Sequence, residues 1–335
     1  MAKKNDKRKT VEYGRYGYFF IAPFFIAFAI FQLWPLIYTI GLAFCENYTD
    51  AMFNTEVGPY FNGLANFKTV FVGNDGSLFN TYTFQALWNT ILMWLMNFLP
   101  QILLALLLAV WFTDTRVKLK AQGAYKILTF MPNIITAATI SVLFYKLFDF
   151  PNGPINQVLV SWGILSQPFE FFQSKWATRG IISFINFWMW YGNTMIVLTA
   201  GVLGISPSLF EAARVDGASS WEIFKSVTLP LLRPILLFTL VNSAIGGMQM
   251  YDIPKLLTSS GYGDPDYTTR TLTMYIRDLA FTGSRQMGKA SAASLILFLV
   301  TLIFSVILFY IMRDKDAIKE KKAIKAAQKA RKGAK

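Results

Sequence analysis

Three observations predict that this chain is an all-α polytopic membrane protein with six spans. Hydrophobic residues make up 54% of the 335 residues and charged residues only 15%, with a mean hydropathy of +0.40. That is more apolar surface than a soluble domain of this length could bury. Six stretches are each apolar over roughly 20 residues or more, the length a helix needs to cross about 30 Å of hydrocarbon. Lys and Arg gather in alternate connecting segments, as they do where loops stay on the cytoplasmic side. The expected organisation is a cytoplasmic basic tail over 1–17, a six-helix transmembrane region over 18–312 with a cytoplasmic loop at 205–230, and a second cytoplasmic basic tail over 313–335.

The first stretch, Tyr18 to Phe44, is too long for the core of a cleavable signal peptide and is expected to remain as a membrane anchor. The loop after it, Cys45 to Thr83, carries Lys68 as its only basic residue against Glu46, Asp50, Glu56 and Asp75, which suits the outside. Its single cysteine, Cys45, excludes an intrachain disulfide. The remaining spans are expected at Phe84 to Phe112, Ala124 to Leu147, Ile181 to Leu203, Leu231 to Met250 and Ala290 to Ile311. The two tails, the loop around Arg116, Lys118 and Lys120 with Lys126 at the helix edge, and the loop with Arg214, Lys225 and Arg233 hold 23 of the 32 basic residues. Both termini are therefore expected inside. The fifth loop, with Lys255, Arg270, Arg277, Arg285 and Lys289, obeys the charge rule less well.

Several chemistries are excluded or disfavoured. The chain has no His, which removes imidazole metal sites and His-based catalysis. The six apolar interiors contain no Asp or Glu, so an ion-coupled secondary transporter, the alternative class, lacks its usual coupling group. Gly283 to Lys289 approaches a phosphate-cradling loop, but Ala290 stands where a Mg²⁺-holding Ser or Thr belongs. The chain is not expected to be an enzyme. Any ATP that drives it must be bound, with its Mg²⁺, by another chain. The basic excess sits in tails and juxtamembrane loops, where it meets membrane lipid rather than nucleic acid.

The loop at 205–230 has its own local structure. Ser206 and Pro207 can open a helix, Gly217 can end it in the left-handed region, and Ser219 with Glu222 has capping-box spacing for a second helix that Pro230 ends. Leu209, Phe210, Ala213, Trp221, Phe224 and Val227 make this hairpin too apolar for a free cytosolic loop. Either they lie in the lipid interface or they dock a soluble partner.

Glu211-Ala212-Ala213, Gly217, Val227 and Leu229-Pro230, at this spacing and between the fourth and fifth spans, resemble the EAA loop of bacterial ABC-importer permeases, with Val227 where Ile is commoner. The segments from Ile21, Pro230 and Asp252 resemble the carbohydrate-uptake branch, particularly its maltose-type first permease subunit. The resemblance implies a six-helix type I permease core with cytoplasmic coupling helices in the bacterial inner membrane. It implies a second permease subunit, two cytoplasmic ATPases, an extracytoplasmic sugar-binding protein and an oligosaccharide substrate. It gives Gly217 the role of the bend that enters the ATPase and Glu211 that of a polar contact there, flanked by Ala212 and Ala213, with Phe210, Trp221 and Phe224 as apolar groups of the knob.

For the solute pathway, Phe187, Trp190, Tyr191 and Thr194 share one face of the fourth span and offer the flat aromatics and polar tips that suit a sugar. Ser243, Gly246, Gly247 and Met250 share a face of the fifth span, small enough to leave room. The same aromatics could form an interfacial belt, and the glycines a close helix contact. Asn97, Gln101, Asn133, Thr136 and Thr139 are weaker candidates.

Overall fold

The computed structural model describes residues 14–50, 52–73, 76–79, 81–114, 116, 120–258 and 260–312. The basic tail up to residue 13, Lys118 of the second loop, Asp75 of the first and the tail from 313 lie outside the described residues.

The first span is one helix in three registers. α1 (Gly14–Phe28) passes through a π turn at Ala29–Leu33 into α2 (Trp34–Ala43). Pro35 has no N–H to close the ladder behind it, and the register widens over the residues just before it. Strands β1 (Cys45–Asp50) and β2 (Thr55–Phe61) then pair antiparallel from Cys45↔Phe61 to Asp50↔Thr55, so the expected all-α chain carries one small hairpin in its first loop. Asn66 of α3 (Ala65–Phe71) pins that hairpin by donating to the carbonyls of Ala43 and Cys45 at 3.0 and 2.7 Å.

The second span is α4 (Tyr82–Thr113), capped by Thr81, whose hydroxyl accepts the Phe84 N–H. The third is not one helix. α5 (Gln122–Phe130) tightens into a 3-10 turn at Met131–Ile134 and meets α6 (Ala137–Leu147) at 90°. Pro132 interrupts the first helix and Thr136 caps the second through the Thr139 N–H, which makes the corner. α7 (Pro154–Ser161) leads to α8 (Lys175–Leu203), the fourth span.

After α9 (Pro207–Val215) come α10 (Ser220–Ile223), a π turn at Phe224–Thr228 and α11 (Leu229–Leu231). α12 (Arg233–Met248) then departs at 68°. Pro230, expected to end the run, sits inside it, and the corner falls at Leu232 ahead of Pro234. α13 (Asp252–Leu257), α14 (Leu272–Phe281) and α15 (Met287–Met312) complete the fold. Among the described residues, four helices are long and apolar enough to cross a membrane, and up to six spans result when each bent pair counts as one.

α4 and α8 form the centre. Met93, Ile182, Ile185 and Met250 pack at one level, and Ala105, Ala109, Met195, Leu198 and Leu232 at another. Between lipid-facing helices this packing is held by close van der Waals contact, which favours small residues. Gly192 is one, since a side chain there would run into the Thr129 carbonyl of α5.

The fifth loop explains its own awkward charge. Arg270 meets Asp278 at 2.7 Å and lies over the rings of Tyr267 and Tyr275, while Lys255 reaches Asp278 at 3.9 Å and Arg277 lies over Tyr251. Arg179 of α8 donates to Asn89 of α4, which in turn donates to the carbonyls of Tyr267 and Arg270. Two of its five basic groups, Lys255 and Arg270, are thus paired within a folded lobe, while Arg277 stays exposed beside Tyr251.

Candidate functional site

A cavity of about 380 Å³ opens between α4, α8, α12 and the start of α13. α8 lines it with Asn186, Met189, Trp190, Asn193, Thr194 and Val197, one face of a helix. Trp94, Asn97 and Gln101 of α4 form the second wall, and residues from Phe238 to Ile253 the third. Two hydrogen bonds tie the walls together: Gln101 donates to the Thr194 hydroxyl at 2.7 Å, and the Trp94 indole N–H donates to the Ser243 hydroxyl at 3.1 Å. The Asn97 and Asn186 amides donate to carbonyls one turn back on their own helices, which leaves their oxygens available. Trp190 is 47% exposed and lines the same cavity as these amides.

Of the residues expected on the pathway, Trp190, Thr194, Ser243, Gly246, Gly247 and Met250 line the cavity. Phe187 and Tyr191 do not. Their rings stack on each other at 5.7 Å, with Phe184 against Phe187. Aromatic tips drew the sequence reading about one residue position around the helix; the face that turns inward is marked by Asn186 and Asn193, two amides spaced i, i+7 in an apolar span. The two glycines separate as well. No atom lies within 4 Å of where a Gly246 side chain would begin, whereas one on Gly247 would overlap the Trp94 ring. Asn97 and Gln101 join the site. Asn133, Thr136 and Thr139 stay away from it, with the two threonines bonded to each other in the α6 cap.

The absence of carboxylates from the six stretches does not extend to the cavity. α12 ends at Met248 and α13 resumes the run after a short break, which places Asp252 on the wall just beyond the expected span.

The hairpin lies on a second, smaller cavity of about 210 Å³ bordered by the ends of α4 and α8. Gly217 adopts φ +81°, in the left-handed region, and the Ala218 N–H returns to the Ala213 carbonyl at 2.9 Å, closing α9. Ser219 and Glu222 form the capping box, with bonds of 3.3 and 2.7 Å; the Ser219 hydroxyl and then its backbone N–H hold the Glu222 carboxyl below its usual range. Ser206 does not cap α9 with its side chain, its hydroxyl meeting Ser208 instead.

Glu211 and Ala212 are exposed and Ala213 half-buried. Trp221 is 69% exposed and stacks on half-buried Phe224 at 5.4 Å. Phe210, expected as an outward anchor beside Trp221, turns inward against the core cluster of Ala109, Phe112 and Val202. Val215, 87% exposed, takes the outer position that the sequence reading missed.

The second loop grips this hairpin. Arg116 binds both carboxylate oxygens of Asp114, donates at 2.9 Å to Ser220 at the start of α10, and holds the Asp114 carboxyl below its usual range; Arg214 of α9 approaches Asp114 at 3.8 Å.

Residues 83–316 match the family described as "Binding-protein-dependent transport system inner membrane component". The lactose transport system permease protein LacF of Rhizobium radiobacter is 30% identical, over 89% of this chain and 94% of its own length. Two solved structures share the fold. One is a bacterial ABC transporter involved in the import of the acidic polysaccharide alginate (TM-score 0.71, 24% identity, 89% of this chain and 95% of that one). The other is a bacterial alginate ABC transporter in complex with an alginate pentasaccharide-bound periplasmic protein (TM-score 0.69, 23% identity, 90% and 94%).

Proposed function

This chain belongs to the family of binding-protein-dependent transport system inner membrane components, and from that premise we propose that it is the permease subunit of an ATP-driven importer of oligosaccharides. It is a transport component and not an enzyme. A second permease subunit faces it across the membrane, two cytoplasmic ATPases bind ATP and Mg²⁺, and an extracytoplasmic sugar-binding protein delivers the solute. Both termini and the hairpin lie on the cytoplasmic side.

One observation carries this reading: cavity and hairpin are built on the same helices. α8 runs from Trp190 in the cavity to Val202 beside Phe210 of the hairpin, and α12 continues from the hairpin around Leu232 to Ser243 and Gly246. A displacement of the hairpin by an ATPase is thereby passed to two cavity walls, and α4 follows through the Gln101 and Trp94 bonds. Such differential contact in two global states is what alternating access requires. The wall chemistry suits a sugar. An exposed tryptophan face meets its C–H surface and the neighbouring amides meet its hydroxyls, and the relative named for lactose supports the class.

The test is uptake of labelled oligosaccharide into proteoliposomes containing this chain, its partner permease, the ATPases and the binding protein. Accumulation should require hydrolysable ATP. Uptake that persists without ATP and collapses with an ion gradient would overturn the proposal.

A further inference from the structure

Asp252 is the only charged side chain among the described residues that line the cavity. No Lys or Arg faces it from α4, α8 or α12. The nearby cations have other contacts and do not line the cavity: Lys255 donates to the Gly261 carbonyl at 2.6 Å and reaches Asp278, and Arg277 lies over the ring of Tyr251 at 5.6 Å. Asp252 forms no ion pair among the described residues and is exposed toward the cavity. Around it the wall is neutral, with the amides of Asn186, Asn193 and Asn242 and the ring of Trp190.

Resting on the importer reading above, we propose that Asp252 is a specificity-determining residue that restricts the cavity to uncharged saccharides and rejects those bearing a carboxylate or sulfonate. Its two oxygens can accept hydrogen bonds from neighbouring sugar hydroxyls, a charge-assisted contact stronger than a neutral one. An anionic saccharide seated against this wall would face that same fixed negative charge at close range, with no cation lining the cavity to offset the repulsion. The fold shared with an importer of an acidic polysaccharide therefore does not carry the substrate charge with it. Asp252 also opens α13, where a negative charge favours the helix N-terminus. That structural role predicts a loss of stability with no change in which sugar is preferred.

The experiment measures equilibrium binding of three size-matched probes, a neutral glucose trisaccharide, trigalacturonate and a glucosamine trisaccharide, to the purified complex of both permeases and ATPases in nanodiscs without the binding protein. Wild type should bind the neutral probe at least about tenfold more tightly than the uronate. Asp252→Asn should erase most of that gap and Asp252→Glu should restore it, with ATPase association unchanged in both. Equal affinity for neutral and uronate probes in wild type would overturn the proposal, as would an unchanged gap in Asp252→Asn. A complex that prefers the amine-bearing probe over the neutral one by a larger factor than it rejects the uronate would replace the uncharged class with a cationic one. Failure is separable from failure of the importer reading: there, no probe of any charge binds the cavity and ATP drives no uptake.

Discussion

Gly246 and Gly247 are adjacent, chemically identical and both on the cavity wall, yet alanine should act in opposite directions at the two positions. At Gly247 the new methyl would overlap the indole of Trp94. Trp94 is 4% exposed, stacked on Phe98 at 5.5 Å, met edge-on by Phe304 at 5.9 Å and bonded to Ser243, so it has little room to turn. Overpacking of this kind costs about 1–3 kcal/mol, and loss of the Trp94–Ser243 bond about 1 kcal/mol more. Alanine's helix preference over glycine returns about 1 kcal/mol. The net loss is about 1–3 kcal/mol, a fall of roughly 2–6 °C in the melting midpoint. Gly246→Ala has only the favourable contribution, because nothing lies within 4 Å of its new methyl. Melting of the purified complex followed by tryptophan fluorescence separates the two. A bulkier Gly246→Phe should leave the midpoint near wild type while cutting sugar uptake, because its side chain starts in open space on the cavity wall. Equal midpoints for the two alanine variants would refute the assignment of Gly247 to packing and Gly246 to open space.

Gly217→Pro cannot adopt φ +81° and loses the N–H that donates to Arg214, so the hairpin should misfold locally; ATPase copurification should fall by about tenfold or more while the membrane domain keeps its melting midpoint. Trp190→Ala should lower uptake by about tenfold or more with assembly intact, as removal of an aromatic anchor does. Asp114→Asn should loosen the Arg116 and Arg214 grip and lower sugar moved per ATP hydrolysed, with ATPase association retained. Since Arg116 lowers the Asp114 carboxyl below its ordinary value of 3.8, the grip is complete above that value and is lost only as pH falls through the lowered one; acid titration of the hairpin's protease sensitivity should show a flat profile from neutral down to about pH 4 and a rise below it.

What could be read from the sequence was what local chemistry decides. Apolar length pointed to the four long helices and the two bent pairs, and Gly217 with the Ser219–Glu222 pair described the hairpin's caps, whose bonds each join residues no more than five apart. What could not be read was rotation. Whether α8 presents Phe187 or Asn186 to the cavity depends on how Gly192 seats α5, a contact 63 positions away in sequence from Thr129. The inward turn of Phe210 likewise depends on where Ala109 and Val202 leave a gap. Asp252 was missed because hydropathy ends the fifth span at Met250, while the cavity wall runs on through Asp252 and Ile253. The two corners were foreshadowed by Pro132 and Pro234, but proline alone does not distinguish a kink from a right angle.

The corner at Leu232 constrains how force can travel. Pro230 and Pro234 bracket it, yet Leu232 donates to the Thr228 carbonyl at 2.9 Å and Leu236 to the Leu232 carbonyl at 2.8 Å, so helical bonding runs through the bend. Leu232 is fully buried, and Gly201 of α8 leaves its side chain a seat that any larger residue would crowd. A hairpin fastened in this way moves with α8 and α12 together, while the Trp94–Ser243 and Gln101–Thr194 bonds carry α4 along at cavity depth. The three walls contributed by this chain then hold their spacing during a stroke, and the cavity changes access only where this chain meets a surface it is not bonded to. Under the heterodimer reading that surface is the second permease, which makes rigid-body rocking between subunits, rather than parting of α8 from α12, the motion this fold permits.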